Sequence, residues 1–114
     1  MAEKPRSGAP RRTPSPQRVA LDRLAAVMQR GATPDRMARE VDTVVARLRD
    51  AADAEQVQIW LEEMRDGFAE SAEAAAEAVD EVEATEKAAR RHAENAALAM
   101  AATRDAFARH LSGH

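Results

Sequence analysis

The side chains most able to do chemistry in this chain are a run of glutamates and three histidines, His92, His110 and His114. No histidine stands in the Glu-x-x-His spacing that brings metal ligands to one face of a helix, and His110 and His114, although four residues apart, are separated by Gly113 beyond the predicted end of the last helix at 111. The glutamate pairs Glu70/Glu73 and Glu73/Glu77 do share a helical face, but no histidine lies beside them. We therefore expect neither a metal site nor a cofactor.

The sequence also lacks the motifs typical of nucleophilic catalysis and of phosphate binding. The chain has no cysteine, four glycines, no glycine-rich phosphate loop and no recognisable Ser-His-Asp arrangement. We expect a protein that is not an enzyme, has no catalytic residues and takes no small-molecule substrate. A metal-dependent enzyme is the weakest of the three interpretations that we carry forward.

Basic residues indicate another kind of contact, with nucleic acid or with a partner protein. Residues 1–16 are rich in proline and carry four cations against one acid, which predicts a disordered basic arm. Arginines in the next two segments extend the set, and lysine and arginine are the side chains that contact phosphates. The candidate nucleic-acid or partner contacts are Lys4, Arg6, Arg11, Arg12, Arg18, Arg36 and Arg39.

Helices must position these residues, because apolar side chains recur at three- and four-residue steps from Gln17 onward. Capping residues followed by proline, Ser15-Pro16 and Thr33-Pro34, predict helices over about 17–30 and 34–51. Gly31 separates the two helices, and Asp53 caps a third. We expect Leu21, Leu24, Met28, Met37, Val41, Val44 and Leu48 to pack on Val57, Trp60, Leu61, Met64 and Phe68.

The third helix is predicted to be long. After Asp53 only Gly67 interrupts good helix formers, and one glycine costs about 1 kcal/mol relative to alanine. The sequence therefore predicts one alanine-rich helix over 54–111, roughly 87 Å long at 1.5 Å per residue, with 112–114 as a tail. A hairpin bend near Gly67 is the alternative.

A heptad with Leu61 at position a gives this long helix a wide seam of mostly small side chains. Small residues let another helix approach closely, so we expect the seam to be an oligomer interface. A solvated single helix is the alternative, because alanine and glutamate form helices without a partner. The predicted interface residues are Ala75, Val79, Val82, Ala89, Ala93, Ala96, Met100 and Phe107.

The distribution of charge predicts the relative orientation of the two helices at that interface. The segment 53–86 is strongly acidic and has Arg65 as its only base, whereas both flanks are net basic, although the whole chain has a formal charge of −3. Two acidic segments side by side would repel each other, so the pattern favours antiparallel association.

Together these features predict an all-α protein with two short N-terminal helices packed on one long helix, forming a helical bundle or coiled coil. No apolar run approaches the ~20 residues needed to cross a bilayer, so we expect a cytoplasmic protein without membrane contact, of a composition typical of bacteria or phage. The predicted function is a non-enzymatic protein–protein interaction module, an oligomeric adaptor, scaffold or regulator. The alternative is a DNA-binding accessory protein that dimerises through the long helix.

Overall fold

The computed structural model describes residues 14–82 and 86–112, and within them it contains four helices and no strand. The helices are α1 (Pro16–Gln29), α2 (Pro34–Ala51), α3 (Ala54–Glu81) and α4 (Lys87–Ser112), packed against one another. The all-α bundle predicted from the sequence is confirmed. The basic arm lies outside the described residues up to position 13, as does part of the predicted tail, residues 113 and 114.

The first three helices begin at the capping residues predicted from the sequence. The Ser15 and Thr33 hydroxyls each accept a hydrogen bond from the backbone amide three residues later, at 3.1 and 3.2 Å. The Asp53 carboxylate does the same for the amide of Gln56, at 2.9 Å. Each bond satisfies an amide that has no carbonyl partner within the helix. Between α1 and α2 the chain turns at Gly31, whose φ of +81 is a conformation that suits glycine.

The predicted single helix over 54–111 is wrong. Helix α3 ends at Glu81, Val82 has an extended backbone (φ −80, ψ 130), and α4 begins at Lys87 and runs back along α3. Near the turn, Nη1 of Arg90 donates to the carbonyl oxygens of Val79 and Val82, at 3.5 and 3.4 Å. The Val79 carbonyl also accepts from the backbone amide of Val82 at 3.2 Å. Carbonyls in the last turn of a helix lack the usual i+4 amide partner, and a cation suits the negative end of the helix dipole. The alternative bend at Gly67 is also wrong, since α3 continues through that residue.

The physical reason for the turn is burial. An unbroken helix would leave most of its apolar seam in water, whereas the hairpin of α3 and α4 covers both halves of the seam with each other. Phe107 on α4 is fully buried, and its ring stacks on Phe68 of α3 with centroids 6.1 Å apart. Local helix propensity in the segment around Val82 is worth only a few tenths of a kcal/mol per residue, so packing can override it.

The core predicted for the N-terminal part is confirmed and gains a contribution from α4. Every residue of the predicted set belongs to one apolar cluster, in which Leu21, Met28, Trp60 and Phe68 are partly buried. Helix α4 adds Ala99, Ala106 and Phe107. The sequence did not indicate this addition, because a straight third helix would carry those residues far from α1 and α2.

Two glycines give a test of these helix boundaries by the same substitution. Gly67→Ala should raise the free energy of unfolding by about 0.5–1 kcal/mol, because Gly67 is helical and an added Cβ would meet no atom within 4 Å. Gly31→Ala should lower it by about 1–2 kcal/mol, since alanine is strained at positive φ. Urea denaturation of both variants provides the measurement. A loss of stability in Gly67→Ala would mean that α3 does not run straight through this residue.

Candidate protein-interaction surfaces

Most of the predicted oligomer seam is covered within a single chain. Val79 and Phe107 are buried, and Ala89 is exposed. The remaining members of the predicted interface are partly buried: Ala75, Val82, Ala93, Ala96 and Met100. The predicted set is therefore placed largely at the contact between α3 and α4, and an interface with another molecule would need a different face of the hairpin.

Such a face exists on the outside of the hairpin. A groove of about 490 Å³, here called the Leu98 groove, lies between α3 and α4 and receives no residue from α1 or α2. Its lining residues are Ala69, Glu70, Ala72, Glu73, Ala76, Ala97, Leu98, Ala101 and Arg104. Leu98 is 57% exposed, although it is one of only four large apolar side chains in α4. The groove therefore combines a small-residue floor with one leucine in water.

The sequence contains only a weak signal for this face. In the heptad that starts at Leu61, Leu98 falls at position c, outside the seam formed by positions a, d and e. A large apolar residue at an outer position is the only feature that could have drawn attention to it. The predicted interface does not include Leu98, because that set was taken from the seam alone.

A second groove, here called the Val19 groove, lies between α1 and α2 and has a volume of about 250 Å³. Its lining residues are Pro14, Pro16, Val19, Ala20, Arg23, Val44, Arg47, Leu48 and Ala51. Val19 is 51% exposed. The lining is mostly apolar and includes two arginines and no carboxylate, so this groove suits an apolar surface with acidic residues at its edge.

Glu40 holds α1 against α2 beside the Val19 groove. Its buried carboxylate accepts hydrogen bonds from Nε of Arg23 on α1 at 3.0 Å and from Nε of Arg36 on its own helix at 3.1 Å. Nη2 of Arg23 adds a longer contact at 3.4 Å. A buried carboxylate is stable only when such charged donors surround it, so the pairing fixes how α1 lies on α2.

The same contacts change the pKa values of Glu40 and Arg23. Hydrogen bonding from Arg23 is the largest influence and lowers the pKa of Glu40, with Arg36 acting in the same direction and burial opposing both. The hydrogen bond to Glu40 in turn raises the pKa of Arg23. Glu40 therefore stays ionised in the folded protein at a pH where an ordinary glutamate would begin to protonate.

The predicted nucleic-acid contacts are not brought together in the described residues. Arg18 pairs with Asp22 at 3.3 Å and Arg36 pairs with Glu40, so a carboxylate already faces each of these cations. Arg39 is exposed on α2. Lys4, Arg6, Arg11 and Arg12 lie outside the described residues.

The histidines and acids form no evident ligand site in the part of the chain that the structure describes. His110 contacts Asp42 through Nε2 at 2.7 Å and so links α4 to α2, whereas His92 is exposed. Among residues 14–82 and 86–112 no group of three or more histidines and acids is placed to hold a metal ion. Over the same residues, every helix falls short of the length and apolarity that crossing a bilayer requires.

Glu40 provides a test with a defined pH dependence. Glu40→Gln should lower the free energy of unfolding by about 1–2 kcal/mol at neutral pH, because the guanidinium groups of Arg23 and Arg36 then face a neutral amide instead of a carboxylate. Because the pKa of Glu40 is lower in the folded than in the unfolded state, its ionised form stabilises the fold. This stabilisation is fully present at pH values above the unfolded-state pKa of about 4.3. That contribution is lost as pH falls through the folded-state pKa.

Urea denaturation of both proteins at a series of pH values measures this. The two stabilities should converge in acid, where the wild-type glutamate is itself protonated. Exposed Glu77 supplies the control, and Glu77→Gln should change stability by less than about 0.5 kcal/mol. An equal difference between Glu40→Gln and wild type at every pH would contradict the role given to the Glu40 charge.

Comparison with known proteins adds no family to this description. A scan against protein-family models gives no match, and neither curated proteins nor solved structures give a significant match. The two grooves are therefore described by their own chemistry, apolar with a leucine and mixed charges in one case and apolar with two arginines in the other.

Proposed function

We propose that the protein is a non-enzymatic helical protein–protein interaction module that acts as an oligomeric adaptor, scaffold or regulator. One observation carries the proposal: the hairpin of α3 and α4 has an apolar groove with a large apolar side chain, Leu98, exposed to water. Grooves of this kind on helical proteins accept the apolar face of another helix.

The pattern of exposure supports this interpretation. Among the residues that the structure describes, three large apolar ones are exposed by about half, namely Leu98 at 57%, Val19 at 51% and Ile59 at 45%. Isolated exposed residues are ordinary on protein surfaces, and Ile59 lines neither groove. Val19 and Leu98 each lie in a groove with other apolar atoms, which is the feature that distinguishes a binding surface from a scattered residue.

The hairpin supports a protein partner through its composition. Beyond Ala72 the only buried residue of α3 is Val79, and none is found in α4 before Ala99. This end of the hairpin is thus held together mostly by alanine, which buries little area, and a second protein surface would add the missing burial. Self-association is the simplest source of that surface.

Charge supports a protein partner over nucleic acid. Helix α3 carries nine acidic residues against Arg65, and exposed carboxylates repel a phosphate backbone. Two of the three described arginines that the sequence indicated as phosphate contacts are paired with carboxylates. A DNA-binding accessory role is the alternative, and it would depend on the basic arm.

Sedimentation equilibrium across the micromolar range tests the proposal. The proposal predicts a mass that exceeds the chain mass of 12.4 kDa and rises with concentration. A mass that stays at 12.4 kDa over that range would contradict self-association.

Fluorescence anisotropy with a labelled generic DNA duplex tests the alternative. The full chain should show no binding at physiological salt. Tight binding that weakens steeply as salt is added would favour the nucleic-acid role, because phosphate contacts release counterions.

A further inference from the structure

We propose that the partner in the Leu98 groove is a second copy of this chain, related by a two-fold axis parallel to the hairpin helices, so that each α3 lies on the partner's α4. This inference rests on the proposed function and deepens it by naming the partner, the face and the orientation. The resulting assembly is a four-helix arrangement with one hairpin from each chain.

The shape of the groove is compatible with packing against the same groove of a second chain. Its floor is made of alanines from both helices, and small residues let two helix surfaces approach closely. Leu98 lies at about the level of Ala72 and Ala76, because Phe107 stacks on Phe68 and Arg90 bonds to Val79 and Val82 across the hairpin. Rotation about a two-fold axis parallel to the helices leaves the level of each residue along the helix axis unchanged. Leu98 of each copy therefore contacts the alanine floor of the groove in the other copy. The contact removes both exposed leucines from water at once.

The charges of the two helices choose between the two-fold arrangements. An axis parallel to the helices places α3 on the partner's α4, whereas an axis across the hairpin places α3 on the partner's α3. Helix α3 has nine acids and one base, and α4 has five bases, counting lysine and arginine, and two acids. Contact between two α3 helices would bring like charges together, so the parallel axis is favoured.

The charged residues that line the groove show the same complementarity between α3 and α4. Glu70 and Glu73 line its α3 side, and Arg104 lines its α4 side. Nε of Arg104 donates to the neighbouring Asp105 at 2.8 Å, which leaves the other nitrogens of the guanidinium for a further carboxylate. In the proposed dimer the Arg104 of each copy lies near the partner's Glu73, and the two-fold axis makes this contact twice.

Leu98→Glu tests the face, and two matched variants control for it. Sedimentation equilibrium should show self-association weakened by about 100-fold or more, because each copy loses a buried leucine and gains a charge in the contact. Ile59→Glu should associate as the wild type does, since Ile59 is similarly exposed and lines neither groove. Val19→Glu should also associate normally, because Val19 belongs to the other groove.

Two charge reversals test the orientation. Glu73→Arg and Arg104→Glu should each weaken self-association by roughly tenfold or more, because each places like charges in both symmetric contacts. An equal mixture of the two variants should associate as the wild type does, since each contact then joins one arginine and one glutamate. Far-UV circular dichroism confirms that each variant keeps its helical content.

The outcomes separate this inference from the proposed function. A wild-type protein that remains monomeric would overturn both. A wild type that associates while Leu98→Glu associates equally well, or one that is dissociated by Val19→Glu instead, would overturn the Leu98 interface and leave the interaction role standing. Dissociation by Leu98→Glu without rescue in the charge-reversal mixture would overturn the proposed orientation.

Discussion

The packing of α4 back along α3 is the constraint on which the rest of this structure depends. The seam between them consists largely of alanine, with Phe68 and Phe107 stacked at one end and Arg90 bonded to the last carbonyls of α3 at the other. Because small side chains contribute little area each, the hairpin gains its stability from close approach over many residues. This pairing also brings Phe107 and Ala106 into the core with α1 and α2.

The hairpin determines which surfaces remain for other molecules. With most of the seam covered inside the chain, α3 and α4 leave in water mainly charged residues, single apolar residues such as Ile59, and the Leu98 groove. Between α1 and α2, the ion pairs of Glu40 with Arg23 and Arg36 set the contact of the two helices and so shape the Val19 groove. A small helical chain of this kind can offer two separate surfaces, which is the arrangement that an adaptor requires.

Local sequence signals were sufficient for the N-terminal half of the fold. Ser15, Thr33 and Asp53 cap helices because their side chains bond nearby amides, and this chemistry needs no knowledge of the rest of the chain. Apolar periodicity likewise predicted the faces of α1 and α2 that are buried. The turn after Val82 has no such signal, since the segment from Val82 to Glu86 contains neither glycine nor proline. Only the burial gained by folding back selects it, and that is a property of the whole chain.

The same limitation explains where the predicted interface residues lie. The small-residue seam was predicted from spacing, but the sequence does not show whether the helix packed against it belongs to the same chain or to another molecule. Val79 and Phe107 were therefore predicted as intermolecular contacts and are buried within the chain. The predicted interface did not include Leu98, because the heptad places this residue at an outer position. The ion pairs of Glu40 were not predicted either, because its partners come from two helices.

The distance between the two arms of the hairpin within one chain tests this account most directly. The protein has no cysteine, so spin labels on Glu70→Cys and Asp105→Cys report on those two exposed positions alone. Double electron–electron resonance, with labelled protein diluted in excess unlabelled protein, isolates the distance within a chain. The account predicts a short distance, set by packed helix axes that are about 10 Å apart. A distance near 53 Å, roughly that of 35 residues in one straight helix at 1.5 Å per residue, would contradict it.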